Sequence, residues 1–496
     1  MGVGTCRRGA LLPSLLCTAL VLICLVPRPA ASQVLYGSIL GDVKDSTEAS
    51  VPGANVVITN KNTGLTRETV TDTAGHFNFP DVPAGVYAVK ISQQGFKTVE
   101  RSEVNVSINS VTRVDVALEV GAMGETVTVN AEPPKLQTDT AEVHSSIVAT
   151  DLQNLPVPLG RNYQQMFRML PGFAPPANSH SIPTNPARSL EFTVNGTSDD
   201  TNNTRIDGVS TAHVQLPHVV SYIPTLESIE EVNIVTNSMD AEQGLAGGAA
   251  INVQTRSGTN VMHGSGFEYF TNQHLKAWPM RFGDADLNTG DKPDASFHQY
   301  GGTVGGPIAK NKMFYFLSYE GTRDHRAVDR TVTIPWPSML RGDLQGSDSP
   351  IYDPLSGNAD GTNRTQFHVS PGDPNYSLCN TATNPNCLNI IPFARLDPIA
   401  QEIASHFPTP NRGTEADLTR NYFVSAPFAY DRHQMDAKVD YNVNSKFNLA
   451  GTFGVLHYKT SVPTVFGDDA VGRPIGGSSN PGHGHGNTYR FTLMGT

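Results

Sequence analysis

Met435-Asp436-Ala437-Lys438-Val439-Asp440-Tyr441-Asn442 switches between apolar and polar residues at every step. Successive side chains of an extended strand point to opposite faces, so the apolar set shares one face and the polar set the other. The pattern returns nearby. Phe447, Leu449, Phe453 and Val455 stand against Asn448, Ala450, Thr452 and Gly454, and Tyr489, Phe491 and Leu493 stand against Thr488, Arg490 and Thr492. Two architectures give this signal. A soluble sandwich buries the apolar face, whereas a transmembrane β-barrel turns it to lipid around a wet lumen. The long polar stretch from about 335 to 430, beside strands ending in Tyr and Phe, favours the barrel.

Composition agrees with an all-β chain. Of 496 residues only 16% are charged, while 45 are Gly and 35 are Pro. Coiled coils and helical arrays need more charge and less Gly, and no Gly period indicates collagen. The net charge of -11 excludes a general nucleic-acid partner, which requires a basic face.

The N-terminus reads as a signal peptide over 1–32. Arg7 and Arg8 precede an apolar run from Ala10 to Val26, followed by Pro27, Pro29 and the small residues Ala30-Ala31-Ser32. That layout predicts ordinary secretion with cleavage before Gln33. Cys6, Cys17 and Cys24 leave with the signal, so Cys379 and Cys387 remain, close together in a Pro- and Asn-rich loop. In an oxidising compartment the pair is expected as a loop disulfide rather than a metal or redox site.

Residues 33–120 show short alternating strands separated by turn signals at Pro52-Gly53, Asn62-Thr63-Gly64, Ala74-Gly75 and Pro83-Ala84-Gly85. A β-sandwich is expected, with Val114, Val116, Leu118 and Val120 on one face. The stretch from Gly75 to Tyr87, G-x-F-x-F-x-x-V-P-A-G-x-Y, resembles the carboxypeptidase-regulatory-like domain, which implies a transthyretin-like sandwich without catalytic residues. Phe77 and Phe79 share a strand face. They read as core, with a sugar-stacking platform as the alternative. Residues 121–135 read as a linker, in which Glu125, Thr126, Val127, Thr128 and Val129 form a short extended piece. It is either a further strand or a recognition segment.

Residues 136–258 are rich in Asn, Gly, Asp and Thr, and are expected to pack against a polar lumen rather than to form a large dry core. They carry Leu155-Pro156-Val157-Pro158-Leu159-Gly160-Arg161-Asn162-Tyr163, Leu170-Pro171-Gly172, Val194-Asn195-Gly196, Arg205-Ile206-Asp207-Gly208-Val209 and the run from Gly247 to Asn260. Beyond them stand His263-Gly264-Ser265-Gly266-Phe267-Glu268 and Gln299-Tyr300-Gly301-Gly302-Thr303-Val304-Gly305-Gly306-Pro307-Ile308. As an ordered set these resemble the TonB-dependent outer-membrane transporters, nearest to the Oar-like group with a regulatory-like domain in front. The resemblance implies a plug domain over 136–258, including Asn195, Gly196, Asp207 and Gly208. It also implies the N-terminal part of an outer-membrane barrel over 259–496.

The same resemblance implies energy-coupled uptake without covalent chemistry or a cofactor. The partners would be a TonB-type energy-coupling protein, outer-membrane lipid and a siderophore, carbohydrate or peptide substrate. The location would be the outer membrane of a Gram-negative-type bacterium, with the N-terminal domain in the periplasm. Glu125 to Val129 matches the family's coupling box in type and position. A carbohydrate-binding, adhesive or structural outer-membrane protein is the alternative. A plugged barrel needs about 22 strands of ~10 residues, or roughly 220 residues before loops. Only 238 residues follow position 258, and the stretch from about 335 to 430 uses many of them, so the chain reads as the front of a longer protein. Other motifs carry little. His483-Gly484-His485 lacks an acid or thiol beside it, Gly301 to Lys312 lacks the G-K-[ST] ending of a phosphate loop, and Asp207 before Gly208 reads as a turn residue rather than a catalytic acid.

Overall fold

The computed structural model describes residues 36–121, 125–129, 142–155, 157–158, 160–178, 180–239, 243, 246–277, 293–445, 447–467 and 481–495. The signal-peptide segment lies outside them. The chain is all-β. The first nine strands are β1 (Tyr36–Asp45), β2 (Asn55–Asn60), β3 (Thr66–Val70), β4 (His76–Pro83), β5 (Gly85–Ser92), β6 (Thr98–Val106), β7 (Val111–Arg113), β8 (Val116–Leu118) and β9 (Thr126–Val129). One sheet runs β4-β1-β7 with β8 also on β1; the other runs β3-β2-β5-β6-β9. Alternating residues from both sheets meet in one core that includes Ile39, Val43, Val56, Ile58, Tyr87, Val89 and Leu118. Phe77 and Phe79 sit inside it, edge to face at 6.2 Å. They are core residues and present no stacking surface. Val114, Val116 and Leu118 are buried as expected, but Val120 is exposed because β8 ends at Leu118.

The plug follows as β10 (Val143–Val148), β11 (Asn203–Ile206), β12 (Val209–Ser210), β13 (Ile229–Asn237) and β14 (Ala250–Thr255), in the order β10-β13-β14-β11-β12. Asp207-Gly208 turns β11 into β12. Both residues have positive φ, 49° and 79°, as a two-residue hairpin of this kind requires. The plug holds a larger apolar core than its composition suggested. Tyr163, Phe167, Phe192, Ile206, Ile234 and Ile251 cluster, and the cluster continues into Phe428, Tyr430, Leu456 and Tyr458 of the barrel wall. The apolar residues are few per segment, but loops as well as strands deliver them to one place.

Among the described residues the wall is a six-stranded antiparallel meander of β15 (His263–Asn272), β16 (Ala295–Ala309), β17 (Met313–Val332), β18 (Tyr422–Asn444), β19 (Phe447–Val462) and β20 (Gly482–Gly495). Strand β18 begins at Tyr422, so the polar stretch expected to reach about 430 ends earlier. Short turns join β16 to β17 and β18 to β19, and longer connections join the other pairs. Strands β18 and β20 are two-faced in the sense that lipid requires. Met435 is 39% exposed and Phe491 73%, whereas their neighbours Asp436 and Arg490 are 3% and 7% exposed. A soluble sandwich would show the reverse.

Buried charge on the inner face needs partners, and the plug supplies them. Arg490 Nη1 donates to Asp207 Oδ2 at 2.8 Å. The Thr255 amide and hydroxyl also donate to Asp207, at 2.9 and 3.0 Å to Oδ1. Lys438 Nζ donates to the Thr255 carbonyl at 2.9 Å. Burial opposes charge on Asp207, but the Lys438 and Arg490 cations and the Thr255 amide outweigh it and hold the carboxyl below the usual aspartate range. Tyr222 donates to Asp436 at 2.8 Å and Thr225 N at 3.2 Å. Gly454 lies beneath that contact; a Cβ there would stand 2.6 Å from the Tyr222 hydroxyl.

These contacts have three measurable consequences. A fragment spanning residues 36–129 is expected to melt cooperatively, and Phe79→Ala to cost it about 3–5 kcal/mol by chemical denaturation; an unchanged midpoint would contradict the core assignment. In the whole chain, Arg490→Met is expected to cost about 3–5 kcal/mol by stranding the Asp207 charge. Because the folded-state pKa of Asp207 is lowered, its contribution is present above the unfolded value of about 3.9 and disappears as pH falls through the folded value. The stability gap between the parent and Asp207→Asn should therefore narrow on acidification below about pH 4, read as melting temperature against pH.

Candidate functional site

The segment Glu125–Val129 lies at one border of the sandwich. Its last four residues are β9, which joins β6 in parallel with Thr98 opposite Thr126 and Arg101 opposite Val129. Part of the stretch read as a linker is thus a sheet strand. Thr98 N donates to the Glu125 carbonyl at 2.9 Å. In a parallel ladder alternate residues direct both backbone groups to the same neighbour. This register aims the backbone of Val127 at β6 and turns the N–H and C=O of Thr126 and Thr128 away from it. Among the described residues β9 pairs with β6 and with no other strand. Lys97 braces the entry, 3.4 Å from both Glu125 and Glu119, and these carboxylates raise its ammonium above the usual lysine range.

The sandwich meets the short-turn end of the wall. Asn260 N donates to the Asn62 carbonyl at 2.9 Å, and Asn260 Nδ2 to Asn311 Oδ1, in the β16–β17 turn, at 2.6 Å. Glu231 on β13 accepts from Ser146 at 2.5 Å and from Ile108 N of the sandwich at 3.3 Å. Burial raises the Glu231 carboxyl above the ordinary range against those hydrogen bonds.

Toward the long-connection end, a cavity of about 290 Å³ opens between plug and wall. Arg188, Arg326 and Arg432 line it with Asp324, Phe428 and Tyr430. Arg432 is committed to Glu320 at 2.6 Å, and Arg326 stacks over Phe428 at 5.1 Å. Burial pulls the Arg188 guanidinium below its usual range. This concave, mostly cationic surface suits an anionic group. Its arginines come from separate elements, and no local spacing signalled them.

The other residues singled out in sequence have plain positions. Asn195-Gly196 is a turn with both φ positive, 52° and 78°, and Gly172 closes against the Asn195 side chain. Asp207 and Gly208 form the hairpin described above, and Asp207 is also the ion partner of Arg490. Cys379 and Cys387 are disulfide-bonded with Cα atoms 5.4 Å apart, in the connection between β17 and β18. Cys387 there belongs to a small core with Val369 and Ile390. His483 and His485 point outward from β20.

Comparison with known proteins fits this arrangement. Residues 254–494 match the outer membrane beta barrel domain family, and residues 38–119 the carboxypeptidase regulatory-like domain. The TonB-dependent transporter Oar of Myxococcus xanthus is 28% identical over 349 residues, covering 66% of this chain and 32% of the relative. The chain therefore spans about a third of the length of that relative. Among solved structures, a mutant ferric enterobactin receptor from Pseudomonas aeruginosa aligns over 71% of this chain and 38% of its own at 11% identity and a TM-score of 0.35. The outer membrane transporter YddB from Escherichia coli aligns over 65% and 34% at 11% identity and a TM-score of 0.36. Scores this low add nothing to the sequence matches. The chain is a homologue of the Oar TonB-dependent transporter, with a carboxypeptidase regulatory-like domain ahead of an outer membrane β-barrel domain, and belongs to the Gram-negative outer membrane.

Proposed function

We propose that this chain works as an energy-coupled receptor and transporter, in which Glu125 to Val129 is the segment gripped by a TonB-type partner. The observation that carries the reading is the border position of β9: a strand with an outward-facing row of backbone groups, at the short-turn end of the wall. An extended partner segment adds to such an edge through main-chain hydrogen bonds, with little demand on side-chain identity. The short-turn end faces the periplasm in this reading, and the long connections face outward. Substrate enters from the long-connection side, and the arginine-lined cavity favours one that carries an anionic group. No step of this work forms or breaks a covalent bond.

The test is titration of the chain in detergent with the periplasmic domain of the coupling protein. Thr128→Pro removes an outward N–H and is expected to weaken binding at least about tenfold. Thr128→Ala keeps that donor and is expected to change affinity less than about threefold. A Thr128→Pro chain that binds like the parent would rule out β9 as the grip. A carbohydrate-binding or adhesive protein without active transport would bind the partner in none of these forms.

A further inference from the structure

Three plug loops far from β9 bring together a set of groups that the transport reading does not use. His180 lies on the loop between Ala177 and Glu191, whose backbones bridge each other at 3.0 and 2.9 Å. His218 lies on the loop closed by the Ala212–Val220 bridge, and Asp200 on the single turn Asp199–Thr201. His180 Nε2 and His218 Nε2 are 2.7 Å apart, with the rings stacked at 4.9 Å. Glu191 Oε2 is 4.0 Å from His180 Nε2. The ligand atoms of His180, Glu191 and His218 all fall within 4.8 Å of one another. The outer ring nitrogen of His218, Nδ1, is 2.7 Å from Asp200 Oδ1.

We infer that His180, His218 and Glu191 bind a divalent transition-metal ion such as zinc. The Asp200 contact fixes the tautomer: Nδ1–H of His218 donates to the carboxylate, which leaves its Nε2 lone pair bare and directed at His180. Such a carboxylate–histidine arrangement orients and strengthens an imidazole ligand. His180 has only to carry its proton on Nδ1 for both Nε2 atoms to face one ion. At metal–nitrogen distances of about 2.0–2.1 Å and tetrahedral angles, the two nitrogens sit ~3.3 Å apart. The rings must therefore separate by about half an ångström, which two loop-borne, partly exposed side chains allow. Glu191 supplies a third ligand after a comparable approach, and water completes the set. Two imidazoles with one carboxylate suit zinc, copper or nickel; calcium and magnesium prefer all-oxygen sites. In a second grouping, Asp199 and Asp200 with His218, it is Asp200 that meets the far ring nitrogen and acts as the outer partner.

The site stands beside the long-connection end of the wall. Tyr430 donates to the Pro186 carbonyl at 2.9 Å, and Pro183 lies against Gly484 near the start of β20. An ion held there ties the 177–191 and 212–220 loops of the plug together. This inference is independent of the coupling role of β9.

Calorimetric titration of the whole chain in detergent with zinc tests it. One ion per chain is expected to bind saturably and to raise the melting temperature. His218→Ala and His180→Gln should each abolish saturable binding, and Asp200→Asn should weaken it about 10- to 100-fold. A His483→Ala/His485→Ala double variant should bind as the parent does. The metal-free melting temperature of each variant checks that its fold is kept, and His180→Gln retains side-chain size and polarity for that reason. The cobalt form of the parent should show visible bands that His218→Ala lacks. Absence of saturable binding in the parent overturns the site. So does retention of binding in either His180→Gln or His218→Ala, or loss of binding in the His483/His485 double variant alone.

Discussion

The half of the wall nearer the short turns depends on placing charge inside and apolar surface outside. Lipid contact demands the outer face of β18 and β20, and strand alternation then forces Asp436, Lys438 and Arg490 inward. Desolvated charges are tolerated only when paired and hydrogen-bonded. The plug is where those partners come from. Asp207 and Thr255 meet Arg490 and Lys438, and Tyr222 and Thr225 meet Asp436. The plug thus completes the wall chemically as well as sterically. A further buried pair, Arg161 with Glu227 at 2.8 Å, secures the plug internally and stacks its guanidinium over Phe267 and Tyr269 of β15 at 4.7 Å.

Much of this was legible in the chain because it is local. Period two is a property of neighbours, so the wall strands, their faces and the sandwich strands followed from Met435 to Asn442 and from Gly75 to Tyr87. The Asp207-Gly208 turn was equally local. Its second role was not, because Arg490 lies 283 residues away. Whether Glu125 to Val129 is a further strand or a recognition segment stayed open in the sequence because its neighbour β6 is reached only through a parallel crossover, and four residues between breakers carry no periodicity. The histidines give the same lesson in reverse. His483-Gly484-His485 attracts notice by spacing, yet the strand turns both rings outward. His180 and His218 are 38 residues apart and share no motif; only loop packing brings their nitrogens together.

The plug is attached to the wall by two kinds of contact in two places. In the half nearer the long connections, Phe428, Tyr430, Leu456 and Tyr458 join an apolar cluster with the plug. Deeper, toward the short turns, the contacts are ion pairs and hydrogen bonds centred on Asp207 and Asp436. These respond differently to displacement. Apolar contact is non-directional and falls off with exposed area, so small sliding costs little. Charge-assisted hydrogen bonds are directional, and separation by a few tenths of an ångström leaves desolvated ions short of partners until water arrives.

In the proposed reading, a pull transmitted from β9 therefore meets its steepest resistance at the polar layer nearest the sandwich. Sandwich and plug are themselves linked there through Ile108 and Glu231, with Asn62 and Asn260 bridging to the short-turn end. Once the polar layer opens, water entering the gap solvates Arg490, Lys438 and Asp436 in place, because the inner face is already built for water. The apolar cluster above would yield gradually. A wall with a polar inner face can thus hold its plug firmly when dry and lose its grip cooperatively when wetted, a combination that a purely apolar interface of the same area would not give.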